Sequence, residues 1–393
     1  MDNIAQSNIA QGNDQSPIFG IEHEMLRGTI RRFIADRVAP VAEAWEDQGF
    51  VPRDVLVAMG ELGLLGLRFP EEYGGAALDT LSTTVLAEEL GRSTFGGFAI
   101  TVLVHTDMAT PHLLHAGSPT QLKKYLPDLV AGRKIAAVAM TEADAGSDLA
   151  GMRTTARRDG DHWRINGSKM FITNGALADV YFVAAKTGNP GRGRDISMFI
   201  VEKGTPGFSV SRSLKKTGWL SSDTAELSFD DCRIPSDNLL GDEGRGFYAL
   251  VKNLQNERIV LSAQAMGEAT RAIELTLEWV RQRKAFGEPL WQKQAIRQRL
   301  AMRSAQVESA RALLHQTAWR DARGHQVTKE VSMLKALCGN LVNEVLFDCV
   351  QFHGGLGFMR ETAIERMARD ARVQAIGGGA TEVMLEEVAK RMG

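Results

Sequence analysis

Between Gly246 and Gln282 the sequence runs without a proline and repeats apolar residues every three or four positions, through Phe247, Leu250, Leu254 and Leu261 to Val280. This periodicity predicts a single long helix with one buried stripe, and the rest of the chain has to be read around it. Glu257 falls inside the stripe, three residues after Leu254 and four before Leu261. Its neighbour Arg258 points about 100° away on an ideal helix. An unpaired carboxylate is expensive to bury, so it either finds partners or shifts its pKa upward. On the helix alone, a structural glutamate and a reactive one are both open.

The sequence around this stretch changes texture twice. Up to about residue 134 it reads as helices, with apolar stripes at Met25, Ile30, Phe33, Ile34 and Val38 and then at Val55, Met59, Leu62 and Leu64. Leu81–Leu90 and Phe98–Leu114 continue in the same manner, and Ser118-Pro119 starts a further helix with proline at its first position. From about Ile135 to Ile234, short β-rich runs alternate with turns: Trp163–Ile165, Val180–Ala184, Ile196–Val201 and Ala225–Phe229. Strands at this spacing, with no helices between them, predict an antiparallel sheet or barrel. After Gly244 long helices return, over 246–282, about 290–323, 328–352 and 361–372, with a last one from Thr381 to about Met392. Gly324 and Gly354-Gly355 mark helix ends. The expected division is a disordered tail over 1–19, an N-terminal helical domain over 20–134, a middle β domain over 135–243 and a C-terminal helical domain over 244–393.

Charge and cysteine content narrow the function. The net charge is −2 and the basic residues are dispersed, which argues against nucleic acid or an anionic membrane surface as partner. Cys232, Cys338 and Cys349 lie far apart without metal-ligand spacing, which fits a reducing compartment, and no metal constellation is visible. Met1–Pro17 lacks a basic region followed by an apolar core, and no arginine occurs before Arg27, so neither signal peptide nor mitochondrial presequence is expected. No apolar run approaches the roughly 20 residues that span a bilayer. A cytoplasmic protein without a membrane span is the expectation.

Two glycine-containing loops could carry chemistry. The run from Ala139 to Gly151 is rich in small residues, which let backbone N–H groups approach a ligand closely; taken by itself, a polar connecting loop is the favoured reading. Gly167–Gly175 sets an aromatic beside hydroxyl and amide groups that could line a flat ring. With these loops go Pro70-Glu-Glu-Tyr-Gly-Gly75, Thr141-Glu to Gly146-Ser-Asp148, Lys169-Met-Phe-Ile-Thr-Asn-Gly175, Arg281-Gln-Arg-Lys-Ala-Phe-Gly287 with Gln294, and Gln351-Phe-His-Gly-Gly-Leu-Gly-Phe358 with Glu361, Arg366 and Asp370. In this order and spacing the chain, over residues 20–393, resembles the acyl-CoA dehydrogenase family.

The resemblance implies an N-terminal helical domain, a middle β-barrel and a C-terminal four-helix bundle, assembled as a homotetramer with one FAD per subunit. It implies flavin contacts from the segment Val138 to Ser147, including Met140, Thr141 and Gly146, with Ser147 also touching the acyl-CoA substrate. Phe171, Ile172 and Thr173 would flank the flavin ring. Arg283, Phe286, Gln294, Gln351, Gly354 and Gly355 would reach FAD from a neighbouring subunit, and Ala380 to Glu382 would lie near its diphosphate and ribose. Two departures stand out: Phe171 replaces a frequent tryptophan, and Ala380 a frequent threonine.

Many members of this family carry the catalytic base in the loop before the last helix. The matching loop here is Gly377-Gly378-Gly379-Ala380, which has no side chain to take a proton. In the isovaleryl-CoA and long-chain types the base sits instead on the helix after the β domain, immediately before an arginine, and Glu257-Arg258 matches that pattern. By the resemblance, Glu257 takes the α-proton, the N–H of Gly378 supports the thioester oxygen, and Arg258 holds the helix or a CoA-side group. Glu382, in the first turn of the last helix, is the rival carboxylate and reads as structural or flavin-side. The glycine at 378 suggests room for a branched or long acyl chain. Electrons would pass to an electron-transferring flavoprotein. An oxygen-using oxidase of the same fold would instead show rapid reoxidation in air, and a non-catalytic acyl-CoA binder would purify colourless.

Overall fold

A computed structural model describes residues 18–188 and 195–393, with residues 247–252 described by backbone alone. The tail over 1–17, expected to be disordered, and the side chains of Phe247 and Leu250 lie outside the described residues. Phe19, which the sequence reading put in that tail, is instead buried, its ring edge-on to His315 at 4.8 Å.

The first part of the chain is helical: α1 (Ile21–Phe33), α2 (Ala42–Gln48), α3 (Arg53–Glu61), α4 (Thr80–Arg92), α5 (Gly96–Leu103), α6 (Thr110–Ala116) and α7 (Pro119–Val130). Ile30, Phe33, Val38, Val55, Met59 and Leu64 are buried. Met25 and Leu62 are not, at 69% and 49% exposed, because Met25 lies on the outer face of α1 and Leu62 follows the end of α3. At the start of α7, Ser118 Oγ accepts from the Gln121 N–H and Gln121 Oε1 accepts from the Ser118 N–H, a reciprocal cap that fixes where the helix begins. Between α5 and α6 the helix widens into a π-helical turn, Val104–Ala109. Such turns leave carbonyls without their usual intrahelical partners.

The middle of the chain forms an eight-stranded sheet from β1 (Ala136–Ala139), β2 (Thr155–Asp159), β3 (His162–Thr173), β4 (Val180–Lys186), β5 (Ile196–Glu202), β6 (Phe208–Ser213), β7 (Thr224–Pro235) and β8 (Leu239–Leu240). The order is β6-β7-β3-β2-β4-β5-β8, with β1 beside β4. The sheet is mixed rather than antiparallel throughout, since β1 and β2 both run parallel to β4. No tight hairpin joins those strands, so turn geometry does not set their direction. Among the described residues the pairing path is open, with β6 and β8 at its ends; they form a central sheet, in which closure into the expected barrel is not seen.

The last part comprises α8 (Gly246–Gln282), a short hairpin of β9 (Lys284–Ala285) and β10 (Glu288–Pro289), α9 (Gln294–Ala322), α10 (Thr328–His353), α11 (Ala363–Ala371) and α12 (Thr381–Ala389). A separate turn, Leu290–Gln292, delays the start of α9, and α11 and α12 are shorter than their sequence patterns. The helix α8 packs on both α4 and α10. Its crossing with α4 is backbone against backbone: a Cβ on Gly91 would stand 2.2 Å from the Gln264 carbonyl oxygen, and one on Gly267 2.1 Å from that of Glu88. Glycine is required at both points.

A charge cluster is buried where α1, α4 and α9 meet. Arg27 Nη1 donates to Glu89 Oε1 at 2.8 Å and to Glu88 Oε2 at 3.3 Å, and Arg31 Nε donates to Glu89 Oε2 at 2.8 Å. His315 Nε2 lies 2.8 Å from Glu88 Oε1, with Arg311 Nε at 3.4 Å from the same oxygen. Burial alone would raise the Glu88 carboxyl, but His315, Arg311 and Arg27 hold it at about 2.

Candidate active site

Glu257 is 5% exposed, on the face of α8 that meets the π-helical turn and α6. Asn253, one turn earlier, donates from Nδ2 to Glu257 Oε1 at 3.0 Å. The same Nδ2 reaches the carbonyl oxygens of Asp107 and Met108 at 2.8 and 3.3 Å, so the π-helical turn is tied directly to the glutamate's helix. His112 Nε2, on α6, lies 4.0 Å from Glu257 Oε1 and is fully buried. Burial pushes the Glu257 carboxyl up to about 7, against the Asn253 hydrogen bond and the Arg258 charge, which favour ionisation. A buried carboxyl titrating near neutrality is suited to taking a proton from carbon.

The loop Gly377–Gly379 packs on the same stretch of α8. Gly378 has φ +67°, and a Cβ built there would stand 2.2 Å from Leu261 Cδ1. Leu261 follows Glu257 by one helical turn, so the loop backbone lies over the face that carries the carboxyl. Arg258 Nε would lie 3.6 Å from a Cβ on Gly379. On α10, Lys335 is 2% exposed and donates to the carbonyls of Gln374 at 2.6 Å and Gly379 at 3.3 Å, holding the loop from beneath. Burial, reinforced by the nearby Arg258 charge, lowers the Lys335 ammonium to about 8. Glu382, the rival carboxylate, is exposed to solvent.

The two glycine-containing loops come together at the ends of β1 and β3. The Met170 N–H donates to the Thr141 carbonyl at 2.8 Å, and Lys169 Nζ donates to the Met140 carbonyl at 3.0 Å and to Glu142 Oε1 at 2.8 Å. Glu142 also accepts from the N–H groups of Arg153 and Thr154 at 2.6 and 3.0 Å. Burial lowers the Lys169 ammonium to about 8, whereas Lys169 and these hydrogen bonds overcome burial to keep Glu142 below its usual range. The buried pair fixes the root of the loop, while Gly146 and Ser147 stay exposed at its tip, and an added Cβ at Gly146 would meet nothing within 4 Å. Phe171 stands beside it with φ +61° and 64% of its surface exposed. Val138, Met140, Thr141 and Thr173 are half-buried, and Ile172 is buried at 3%, so its side chain belongs to the sheet core. An exposed aromatic face, a hydroxyl and an open glycine-bearing loop form a donor set that fits a flat, hydrogen-bonding ring system.

Six of the other expected ligand contacts, all exposed, gather at one end of the helical body. Arg283 and Phe286 lie on the α8–α9 connection, Phe286 with 97% of its surface exposed, and Gln294 opens α9. Gln351, Gly354 and Gly355 lie at the end of α10. Trp279 joins the two groups: its Nε1 donates to the Phe352 carbonyl at 3.0 Å, its ring stacks on His353 at 5.4 Å, and the Arg283 guanidinium lies 5.9 Å from the ring. Ala380 is half-buried and directly precedes α12 as its N-cap.

Sequence reasoning passed over Asp107, His112, Asn253 and Asn256. Asp107 and His112 interrupt the apolar run Phe98–Leu114, and Asn253 precedes Glu257 by one turn; those were the signals. Glu142 and Lys169 stood inside recognised motifs without a role of their own.

Family models for the acyl-CoA dehydrogenase N-terminal, middle and C-terminal domains match residues 21–133, 137–232 and 244–393. The long-chain specific acyl-CoA dehydrogenase of Mus musculus mitochondria is 40% identical over 385 residues, 95% of this chain and 87% of that protein. The crystal structure of a probable acyl-CoA dehydrogenase from Mycobacterium abscessus superposes with a TM-score of 0.93 at 40% identity, covering 96% of this chain and all of that one. An acyl-CoA dehydrogenase from Bacillus anthracis, solved in complex with FAD, matches with a TM-score of 0.90 at 36% identity, over 95% of this chain and 68% of that one.

Proposed function

The chain belongs to the acyl-CoA dehydrogenase family and is an FAD-dependent oxidoreductase, and from that premise we propose that it converts an acyl-CoA thioester to the trans-2-enoyl-CoA with Glu257 as the catalytic base. The observation that carries this reading is a buried carboxyl, raised to about 7, one helical turn from the residue on which the Gly378 loop packs. Glu257 accepts the α-proton at its carboxylate. The Gly378 N–H donates to the thioester carbonyl oxygen as negative charge grows there, an interaction typically worth about 3 kcal/mol. Lys335 and Leu261 hold that loop in place. FAD, when bound, supplies the acceptor for the hydrogen and electron pair leaving the β-carbon.

Val138, Met140, Thr141, Gly146, Ser147, Phe171 and Thr173 would hold the flavin with the backbone of Ile172, and Ser147 would also meet substrate. Arg283, Phe286, Gln294, Gln351, Gly354 and Gly355 would serve the flavin of a neighbouring copy, and Ala380 and Glu382 its diphosphate and ribose. A homotetramer gives those exposed groups a partner. It would also cover the apolar surface of Met302, Leu337 and Phe347 on α9 and α10, each at least 45% exposed. An electron-transferring flavoprotein completes the cycle as electron acceptor. No helix among the described residues is long and apolar enough to cross a membrane, and a cytoplasmic site of action is proposed with the rest.

The test is anaerobic flavin bleaching with straight and branched acyl-CoAs, on the wild type and Glu257→Gln. Wild-type bleaching by one substrate class, with a loss of about 10²- to 10⁴-fold in Glu257→Gln while acyl-CoA still perturbs the flavin spectrum, is expected. Normal bleaching in Glu257→Gln would remove Glu257 from the chemistry.

A further inference from the structure

Opposite Glu257, on the π-helical turn, stands a second buried carboxyl. Asp107 is 1% exposed and is held on all sides by hydrogen bonds. Thr106 Oγ1 donates to its Oδ2 at 2.6 Å, and Asn256 Nδ2 donates to its Oδ1 at 3.1 Å and its main-chain oxygen at 3.2 Å. Asn253 Nδ2 donates to that same main-chain oxygen and, from the other side, to Glu257 Oε1. One amide thus bridges the Asp107 backbone and the base. The second, three residues on, bridges the backbone and the side chain of Asp107. The residue that would engage the Asp107 carbonyl in an α-helical ladder is Pro111, which has no N–H; the carbonyl accepts from Asn253 and Asn256 of α8.

We propose that Asp107 is a positioning residue for Glu257, its main chain fixing the orientation of the base through Asn253 and its carboxylate setting the pH at which the base ionises. The inference rests on the reading of Glu257 as base. A negative charge on Asp107 disfavours ionisation of Glu257, as a smaller effect than burial. Burial raises the Asp107 carboxyl, opposed by its two hydrogen-bond donors and by the Arg68 charge, and the Asp107 charge adds to the burial that raises Glu257. Among the described residues, the other ionisable groups facing Glu257 are Arg258 on α8 and His112 on α6. The Gly377–Gly379 loop brings none, and Lys335 behind it faces Arg258.

The experiment is the pH dependence of anaerobic flavin bleaching by saturating acyl-CoA in the FAD-loaded enzyme. In the wild type the rate falls as Glu257 becomes protonated. In Asp107→Asn that acid limb is expected to move to lower pH by about half a unit or more, with acyl-CoA still perturbing the flavin spectrum. Thr106→Val, which removes one donor from the Asp107 carboxylate, shifts it the same way by less and serves if Asp107→Asn does not fold. A limb that stays in place, with rates lowered equally at every pH, makes Asp107 merely structural and overturns the proposal. So does a limb that ignores Asp107→Asn and disappears in His112→Gln. Glu257→Gln separates the two levels: normal bleaching there defeats the base assignment itself, whatever Asp107 does.

Discussion

Glu88 and Glu257 are both fully enclosed glutamates, 2% and 5% exposed, and both lie against α8: the Glu88 carbonyl touches Gly267, and Glu257 is carried ten residues earlier on the same helix. Their surroundings are opposite. Glu88 receives His315, Arg311 and Arg27, and its carboxyl is held at about 2; Glu257 receives one neutral amide and a flanking arginine, and burial lifts it to about 7. A buried acid with cations on it is committed to its charge and to structure. One with a hydrogen bond and little else keeps its proton within reach of neutral pH, which is what general-base chemistry needs.

Removing the charge at Glu88 should have the largest effect on stability. Glu88→Gln leaves Arg27 buried with one carboxylate fewer, and a loss of about 3 kcal/mol is expected in urea unfolding, with the bleaching rate of the folded fraction unchanged. A full rate loss with intact stability would reverse the two roles.

The two sites should also respond to pH with opposite sign. Glu88 falls from an ordinary 4.5 to about 2, so its contribution is complete above about pH 4.5 and lost as the pH falls to 2, on the order of 3 kcal/mol. Glu257 rises from 4.5 to about 7, so its contribution is complete below about pH 4.5 and lost as the pH rises through 7. Urea midpoints recorded from pH 2 to 8 should therefore lose the acid-side slope in Glu88→Gln and the neutral-side slope in Glu257→Gln.

From that linkage follows an effect of similar size. At pH 8 Glu257→Gln should be more stable than the wild type by on the order of 3 kcal/mol, and far less so at pH 5. Identical midpoints at both values would mean that Glu257 is ionised without penalty.

The smallest expected effect is on the backbone beside Glu257. Gly378→Ala meets Leu261 at a positive φ of 67°, whereas Gly377→Ala finds its nearest atom at 3.7 Å. About 1 kcal/mol of strain and roughly a tenfold slower bleaching are expected at 378, and neither at 377. Equal effects would show that the loop's position is not specific to Gly378.

Glu257 was legible in the sequence because an acid inside an apolar stripe is a local pattern, and the glycines at 377–379 removed the competing position. The helices at both ends were legible for the same reason of period. Glu88 was not: α4 is buried along nearly its whole length, and no one-sided period marks a helix enclosed on every side. Asp107 and His112 were missed because their meaning depends on a π-helical turn meeting α8, a contact between residues some 150 positions apart. The mixed strand directions escaped as well, because β1 and β2 meet β4 across long connections with no hairpin to announce them.

Catalysis by Glu257 depends on when it carries its proton. The most direct measurement is the rate of anaerobic flavin bleaching by saturating acyl-CoA between pH 5 and 9, in the wild type beside Glu88→Gln. A rate that rises with pH through a midpoint near 7 in both proteins is the predicted result. A rate independent of pH down to 5 would give Glu257 an ordinary carboxylate's acidity and rule out a base tuned by burial.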